Sequence, residues 1–370
     1  MNNCKIIAYY LPQFHTIPEN DKWWGEGFTE WVNVKNAQPL FPGHYQPRVP
    51  LNSDYYDLSD VSVMKSQAML AKEYGLYGFC FYHYWFSEKP LLEKPIINYL
   101  NDKSIDFPFC ISWANESWTN AWAKPDNKVL IEQREGDKQE WKKHFDFLLP
   151  FFKDERYIKE DNCPLIVIYR PYLFEEMSVM LDYWKELAKS NGFNGLKIAS
   201  QRFEQPEKNR GLFDYMDYHI EYQPNRCIGE IPIKQYVKPL VAIQDFLLRR
   251  FNVDISFRKK KGKLIKFDYD ELWGRVLNEK PVSDRAIAGA FVGFDNTPRY
   301  KYRGRVIEGS TPEKFEKYMK AQIKNVKENY PTDYLFVFAW NEWGEGGYLE
   351  PDEKYKTGYL DAILKSLKNS

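Results

Sequence analysis

Two glutamates near the end of the chain, Glu342 and Glu345, stand three positions apart in the stretch FAWNEWGEG, residues 338–346. On a continuing strand they would point to opposite faces, whereas in a helical turn residues three apart share a face. Gly344 and Gly346 permit a tight turn of that kind. Two carboxylates on one face resist ionising together, so one of them is expected to keep its proton. Such a pair suits general acid and general base catalysis at a glycosidic bond.

Polar and aromatic residues also gather where other apolar runs of the sequence end. Carboxylates, amides and histidines bind hydroxyl groups, and the rings of Trp and Tyr stack on the apolar faces of sugars. The residues predicted on this basis to bind substrate are Tyr10, Gln13, His15, His83, Tyr84, Trp85, Trp113, Asn115, Glu116, Trp118, Tyr169, Glu221, Asp295, Asn341 and Trp343.

Three alternatives stay open for these side chains. Glu342 and Glu345 could form an ordinary solvated acidic turn. Glu116 follows an Asn at a strand end, so Glu116 could be the acid/base that acts opposite Glu342. His15, His83 and Glu221 could ligate a metal, but no HxH or HExxH spacing accompanies them, so neither a metal nor a cofactor is predicted.

Eight apolar runs rich in β-branched and aromatic residues are predicted to be strands that position these side chains. They are Lys5–Pro12, Gly75–Trp85, Pro108–Ala114, Pro164–Arg170, Leu196–Phe203, Tyr215–Tyr222, Ala286–Phe294 and Tyr334–Trp340. Amphipathic helices are predicted between and after them at Leu58–Tyr74, Asp137–Phe152, Phe174–Ser190, Glu313–Asn329 and Lys354–Lys368. The alternation favours a parallel (β/α)8 barrel, whose chemistry lies at the C-terminal ends of the strands. A doubly wound open sheet would carry a Gly-rich loop after its first strand, and YYLPQFH is not one.

Two segments depart from a minimal barrel. Gln13–Asp54 is predicted to be a long functional loop without clear helical period. Residues 229–280 are predicted to be an insertion that holds a β-hairpin near 250–270, within VDISFRKKKGKLIKFDY. Its basic tip, Arg258–Lys263, is either a solvated turn or a peripheral contact with an anionic lipid surface or phosphate-linked acceptor. We expect residues 1–370 to form a single catalytic domain with this insertion.

Composition narrows the class of partner. Lys and Arg total 52 and Asp and Glu total 52, so no basic footprint for nucleic acid is present. Aromatic residues make up 17% of the chain, which fits a carbohydrate partner. The five cysteines have no paired spacing, and no signal peptide or long apolar span is evident, so a soluble cytoplasmic protein without disulfides is predicted. Oligomeric state is left open.

Several motifs in the same order resemble the WbsX-like family: YYLPQFH, WWGEGFTEW, GFCFYHYWF, ISWANESW, FDNTPR and FAWNEWGEG. Members are named as glycosyltransferases or lipopolysaccharide biosynthesis proteins of bacterial O-antigen and capsule clusters. The family is similar to glycoside hydrolase family 99, whose (β/α)8 barrels carry two glutamates in a NEWxEG motif, matched here by 341–346. The resemblance implies that Glu342 is the base acting on a sugar 2-hydroxyl. It implies that Glu345 is the acid on the leaving oxygen, with retention through a 1,2-anhydro sugar.

Three hypotheses for function follow from residues and resemblance together. The first is a retaining glycoside hydrolase or transglycosylase acting on a bacterial surface polysaccharide or its precursor. The second is a nucleotide-sugar-dependent glycosyltransferase of lipopolysaccharide or O-antigen biosynthesis. The third is a non-catalytic glycan-binding protein.

Overall fold

The computed structural model describes residues 4–86, 89–120, 128–203, 209–229 and 264–368. Within them, eight parallel strands form a barrel, and all eight coincide with predicted strands. They are β1 (Lys5–Tyr10), β2 (Gly78–Phe86), β3 (Phe109–Trp113), β4 (Cys163–Ile168), β5 (Lys197–Ser200), β6 (Tyr218–Ile220), β7 (Ala286–Phe291) and β8 (Tyr334–Phe338). Each strand pairs in parallel with its neighbours, and β1 pairs with both β2 and β8, which closes the barrel. The prediction of a (β/α)8 barrel is confirmed.

The strands alternate between the barrel interior and the surrounding helices because side chains in a strand point to opposite faces in turn. Tyr9 packs inward, where its ring stacks on Tyr82 with centroids 5.6 Å apart. Tyr10, the next residue, packs outward with its ring 5.1 Å from Phe79 and its hydroxyl donating to Gln67 of the helix layer. Both faces of the strands are therefore buried, as continuous apolar runs predict.

The helices of the described residues are Pro18–Trp24, Glu30–Lys35, Val61–Glu73, Lys94–Asn101, Lys138–Lys153, Met177–Ser190, Arg210–Tyr215, Asn225–Gly229, Tyr269–Asn278, Thr297–Tyr300, Pro312–Asn329 and Gly358–Lys368. The five predicted helices are confirmed, with ends that shift by a few residues. Thr311 caps Pro312–Asn329 by accepting a hydrogen bond from the Lys314 N–H.

The loop after β1 contains more regular structure than predicted. Two helices, Pro18–Trp24 and Glu30–Lys35, lie in a segment that shows no clear helical period in the sequence. They span only seven and six residues, which is too short for an apolar stripe to repeat. Pro18 nevertheless begins the first of them in the favoured first-turn position.

The predicted hairpin is only partly within the described residues. Its first arm and its basic tip, Arg258–Lys263, lie outside them. The second arm is a strand, Ile265–Asp268, but it pairs in parallel with Arg305–Glu308. The sequence did not predict that partner, because pairing between distant segments leaves no local turn signal.

Short strand pairs decorate the barrel. Lys89–Leu91 pairs antiparallel with the end of β2, and Lys159–Glu160 pairs antiparallel with the start of β4. Trp118–Thr119 pairs with Val129–Ile131, and Asn341–Glu342 pairs with Gly347–Tyr348. In the part of the chain that the structure describes, no helix combines the length and apolarity required to cross a membrane.

Candidate active site

The two glutamates of NEWGEG lie on a tight turn directly after β8. Residues Trp343–Glu345 form one turn of 3-10 helix, which brings positions three apart onto one face. Gly346 ends the turn in the left-handed region, with φ of 62°, where a residue with a Cβ is disfavoured. The helical turn predicted from the two glycines is confirmed, and Glu342 and Glu345 both line the same cleft.

Two neighbouring side chains of the motif anchor this turn. Asn341 accepts a hydrogen bond from the backbone N–H of Leu11 at 2.7 Å and donates to the Leu11 carbonyl at 3.0 Å. Trp343 donates from its indole to the buried carboxylate of Glu350 at 2.6 Å. Asn341 and Trp343 therefore tie the turn to the loop after β1 and to the chain that follows, and neither lines the cleft.

Arg299 connects the two glutamates. Its Nη1 lies 2.8 Å from Glu345 Oε1, and its Nη2 lies 3.0 Å from Glu342 Oε1. A third carboxylate, Glu30, accepts from Nε of the same guanidinium at 3.1 Å. The planar fork of arginine suits several carboxylates at fixed geometry, which a lysine could not hold in the same way. One cation thus holds three carboxylates in place.

This arrangement raises the pKa of both motif glutamates. Burial raises the pKa of Glu342 to about 8, against the opposing pull of Arg299, and the charges of Glu345 and Glu30 add to the rise. Burial likewise raises the pKa of Glu345, with Arg299 again opposing and Glu30 adding. Since the group carries three carboxylates against one guanidinium, it retains a proton more readily than separate carboxyl groups would.

The cleft around these groups has a volume of about 320 Å³. The loop after β1 and the strand pair after β3 meet across it, with the rings of Trp23 and Trp118 6.0 Å apart and edge to face. Aromatic side chains cover much of its lining; they are Trp23, Trp24, Phe28, Tyr82, Tyr84, Trp118, Tyr169, Tyr222, Tyr300 and Phe338. Carboxylates beside aromatic faces can hold a sugar by stacking and by hydrogen bonds to its hydroxyls.

Seven of the residues predicted to act or to bind substrate line this cleft: Gln13, Tyr84, Glu116, Trp118, Tyr169, Glu342 and Glu345. Gln13 donates from its amide to the Tyr84 hydroxyl at 2.8 Å. Glu116 pairs with Arg170 at 2.9 Å, away from the guanidinium that joins Glu342 and Glu345. Glu116 thus has a different cationic partner from the NEWGEG glutamates.

Four predicted residues face the helix layer instead. Tyr10 donates to Gln67, and His83 lies with Nε2 2.9 Å from Nε2 of His144 on a surrounding helix. Trp85 stacks on the His144 ring at 4.6 Å, and Trp113 meets the same ring edge to face at 4.7 Å. The prediction failed for these four because successive side chains of a strand point to opposite faces. Tyr9, Tyr82 and Tyr84 point into the barrel, and a residue one position away from such a side chain points outward.

Four more predicted residues hold loops together. His15 contacts the Pro12 carbonyl through Nδ1 at 2.9 Å. Asn115 accepts from the Arg170 N–H and donates to the Arg170 carbonyl. Glu221 accepts from the Tyr330 hydroxyl at 2.6 Å. Asp295 accepts from Gln46 and Thr297 and lies 2.8 Å from His44 Nε2. None of the four lines the cleft in this structure, so we do not propose direct substrate contact for them.

Sequence reasoning missed Glu30, Arg299, Trp23, Trp24 and Phe28, all of which line the cleft. Each stands inside a motif that was recognised, WWGEGFTEW or FDNTPR, but away from a strand end. The criterion of polar residues at strand ends could not find them. Among the described residues, no group of three or more His, Cys, Asp or Glu side chains is placed to hold a metal ion.

Comparison with known proteins identifies the family. A sequence model described as "Glycosyltransferase WbsX" matches residues 6–363. The chain belongs to this WbsX family. It is 37% identical over 368 residues to "Uncharacterized protein WxcX" from two strains of Xanthomonas campestris pv. campestris, B100 and ATCC 33913. That match covers 98% of this chain and 49% of each relative, so the chain spans about half the length of the curated relatives it matches.

The WbsX chain also shares its fold with solved structures at low identity. The GH99 endo-alpha-mannosidase from Bacteroides thetaiotaomicron is 12% identical with a TM-score of 0.53, and a complex with BIS-TRIS-propane gives 13% and 0.57. Both alignments cover 100% of this chain and 97% of the other. A structure described as "Glycoside hydrolase-like protein" is 11% identical with a TM-score of 0.58, covering 99% and 94%. These likenesses show a common barrel fold.

Proposed function

We propose that this chain is a retaining glycoside hydrolase or transglycosylase that acts on a bacterial surface polysaccharide, such as O-antigen or capsule, or on its precursor. The observation that carries the proposal is the pair Glu342 and Glu345, joined by Arg299 in an aromatic cleft at the C-terminal end of a barrel. The family description and the glycoside hydrolase-like fold support a glycan-active enzyme.

In the proposed first step, Glu342 takes the proton of the sugar 2-hydroxyl and the 2-oxygen attacks the anomeric carbon. The bond from that carbon to the leaving oxygen breaks while Glu345 gives its proton to that oxygen. The products are a 1,2-anhydro sugar, a protonated Glu342 and an ionised Glu345. The step requires one proton on the pair, carried by Glu345 when it begins. The raised pKa values of both carboxyl groups support a pair that retains a proton, and since the pKa of Glu342 is about 8, the reactive form is the one in which that proton has moved to Glu345.

In the second step, Glu345 takes a proton from water or from a sugar hydroxyl, which attacks the anomeric carbon. The anhydro ring opens, and the 2-oxygen recovers its proton from Glu342. Two inversions give net retention, and both carboxyl groups return to their starting states. The route requires a free 2-hydroxyl trans to the leaving group, as in α-mannose or α-rhamnose. Whether water or a hydroxyl attacks decides between hydrolysis and transfer.

The cation partners favour Glu345 over Glu116 as the acid. Glu345 shares Arg299 with Glu342, whereas Glu116 is paired with Arg170. An acid and a base that exchange roles in one cycle are best held by a common partner, since each protonation change then acts directly on the other.

A nucleotide-sugar-dependent transferase is the runner-up, favoured by the family description. The charge of the cleft argues against it. Of the described residues that line the cleft, four are glutamates, and the one arginine, Arg299, already pairs with three of them. A diphosphate would bring at least two negative charges into this surrounding. A non-catalytic glycan-binding protein would need no raised carboxyl pKa at all.

The test is to incubate the protein with surface polysaccharide and lipid-linked oligosaccharide from the encoding organism, with and without nucleotide sugars. Products are read by mass spectrometry. Glu345→Gln removes the proposed acid, and Glu26→Gln is the matched control, because Glu26 is exposed in the loop after β1. Shorter or rearranged glycans without nucleotide sugar from wild type and control, but not from Glu345→Gln, support the proposal. Extension that requires a nucleotide sugar, or full activity of Glu345→Gln, overturns it.

A further inference from the structure

Glu30 is a third buried carboxylate beside the two glutamates of the turn. It begins the helix Glu30–Lys35, and its backbone N–H donates to the Gln13 carbonyl at 3.3 Å. Its side chain is 7% exposed, and both Nε and Nη2 of Arg299 lie within 3.1 Å of its Oε2. Glu30 therefore occupies one side of the same guanidinium that holds Glu342 and Glu345.

We propose that Glu30 and Arg299 are positioning residues that together set how firmly the Glu342–Glu345 pair holds its catalytic proton. Arg299 favours ionisation of the pair, and Glu30 offsets part of that effect by its own charge and by occupying donors of the guanidinium. The inference rests on the proposed glycosidase function for its catalytic meaning. The effect of Glu30 and Arg299 on the charge of the pair is inferred from the contacts alone and does not depend on that function.

The identity of residue 344 supports this inference independently. A Cβ built on Gly344 would lie 2.4 Å from Glu30 Oε2 and 3.1 Å from Nε and Nη2 of Arg299. The backbone of Gly344 is not in the left-handed region, so its conformation does not require glycine. Gly344 lies between the two glutamates in sequence. Because it has no side chain, the Glu30–Arg299 pair can occupy the space beside it.

The other groups that face the pair do not compete for this role. Burial raises the pKa of the phenols that surround it, so they stay neutral at ordinary pH; these are Tyr84, Tyr222 and Tyr300. Arg202 acts on Glu345 as a fixed positive charge and donates to the Tyr169 hydroxyl. Glu116 lines the same cleft but is paired with Arg170. Among the described residues, Glu30 is the remaining acid in contact with Arg299.

Opposite substitutions should move the pH dependence in opposite directions. Glu30→Gln removes a negative charge and leaves Arg299 to the pair, so both limbs of the activity profile should move about one pH unit lower. Arg299→Gln removes the positive charge, so the limbs should move higher, together with a large loss of kcat. Glu26→Gln changes the same charge in the same loop on an exposed side chain and should leave the profile unchanged.

Gly344→Ala provides a second test in which no charge is lost. The added methyl group would displace the Glu30 carboxylate, so the profile should shift in the same direction as for Glu30→Gln. A role of Glu30 in loop folding alone predicts a different result, in which activity falls at every pH and the limbs stay in place. That result with a folded Glu30→Gln protein would overturn the inference.

Carboxyl titration by NMR, with 13C-labelled glutamate and no substrate, separates this inference from the proposed function. A downward shift of the pair's apparent pKa values in Glu30→Gln, without any glycosidase activity in wild type, would support the role of Glu30 and overturn the proposed glycosidase function. Glycosidase activity together with unchanged carboxyl titration in Glu30→Gln would sustain the function and overturn the inference.

Discussion

The side chain of Asn341 clamps the backbone of Leu11, accepting from its N–H at 2.7 Å and donating to its carbonyl at 3.0 Å. The two residues are 330 positions apart in sequence. Leu11 follows the first barrel strand and Asn341 begins the turn that carries the two glutamates. The clamp thus joins the first and last segments of the barrel at the proposed active site.

Asn341→Asp should therefore damage the site while it preserves side-chain size. A carboxylate can accept from the Leu11 N–H but cannot donate to its carbonyl, and it adds a fourth carboxyl group near Glu342. We expect a loss of roughly 1–3 kcal/mol in the free energy of unfolding, the cost of a buried hydrogen bond left unmade, together with lower kcat. Urea unfolding and steady-state kinetics measure the two. Wild-type stability and activity in this variant would show that the clamp does not position the turn.

Glu342→Gln and Glu345→Gln should differ in their response to leaving group and nucleophile. Each should lose roughly 10²- to 10⁴-fold in kcat on an unactivated glycan, the range for general acid–base residues. On an aryl α-glycoside with a good leaving group, Glu345→Gln should recover activity when azide is added, since neither proton transfer by Glu345 is then required. Glu342→Gln should not recover, because the 2-hydroxyl still needs a base. Recovery by Glu342→Gln alone would reverse the two roles.

The raised pKa of Glu342 should also appear in protein stability. Its carboxyl holds a proton more tightly in the folded state, with a pKa of about 8, than its ordinary value of 4.5. The folded state is therefore favoured at low pH, and this contribution is lost as the pH rises through about 8. Glu342→Gln cannot ionise, so its Tm relative to wild type should rise from about pH 4.5 to about pH 8 and stay level above that. A difference in Tm that is constant with pH would contradict the assignment.

The aromatic cleft predicts a separation of binding from chemistry. Trp118→Ala removes a ring that lines the cleft and meets Trp23, so KM should rise about 5- to 10-fold, the equivalent of about 1–1.5 kcal/mol of aromatic contact. The kcat should change little, because the rings that Trp118 contacts in the described part of the chain are Trp23, Tyr84 and Phe86, and none of these carries a proton in the proposed steps. Tyr302→Ala is the matched control, since Tyr302 is 54% exposed and does not line the cleft. An equal rise in KM in both variants would show that Trp118 does not bind substrate.

Two tyrosines on the inner strands test the consequence of strand alternation. The Tyr84 hydroxyl lies at the cleft and accepts from Gln13, whereas the Tyr10 hydroxyl lies on the outside of the barrel and donates to Gln67. Tyr84→Phe should reduce kcat/KM with little effect on Tm. Tyr10→Phe should lower Tm, since it leaves the buried Gln67 oxygen without its donor, and keep kcat/KM unchanged. The reverse pattern would mean that the faces are wrongly assigned.

The sequence by itself determined the barrel and the turn. The strands were predictable because most of them are buried on both faces and so are apolar over a short run, as in β7 (Ala286–Phe291) and β8 (Tyr334–Phe338). The turn of NEWGEG was predictable because the spacing of its acids and the conformational freedom of Gly346 are local properties. Because both faces of these strands are apolar, the sequence does not show which residues of a strand point into the barrel. Tyr10, His83, Trp85 and Trp113 were placed at the site for that reason.

Only the tertiary structure decided which side chains surround the two glutamates. Arg299 reaches Glu30 across 269 positions of sequence and reaches the two glutamates across 43 and 46. No local pattern marks such contacts, because closure of the barrel, not spacing along the chain, brings these segments together. The identities of the two acids were fixed in the sequence. Their raised pKa values depend on burial and on neighbouring charges, which exist only when the fold is complete.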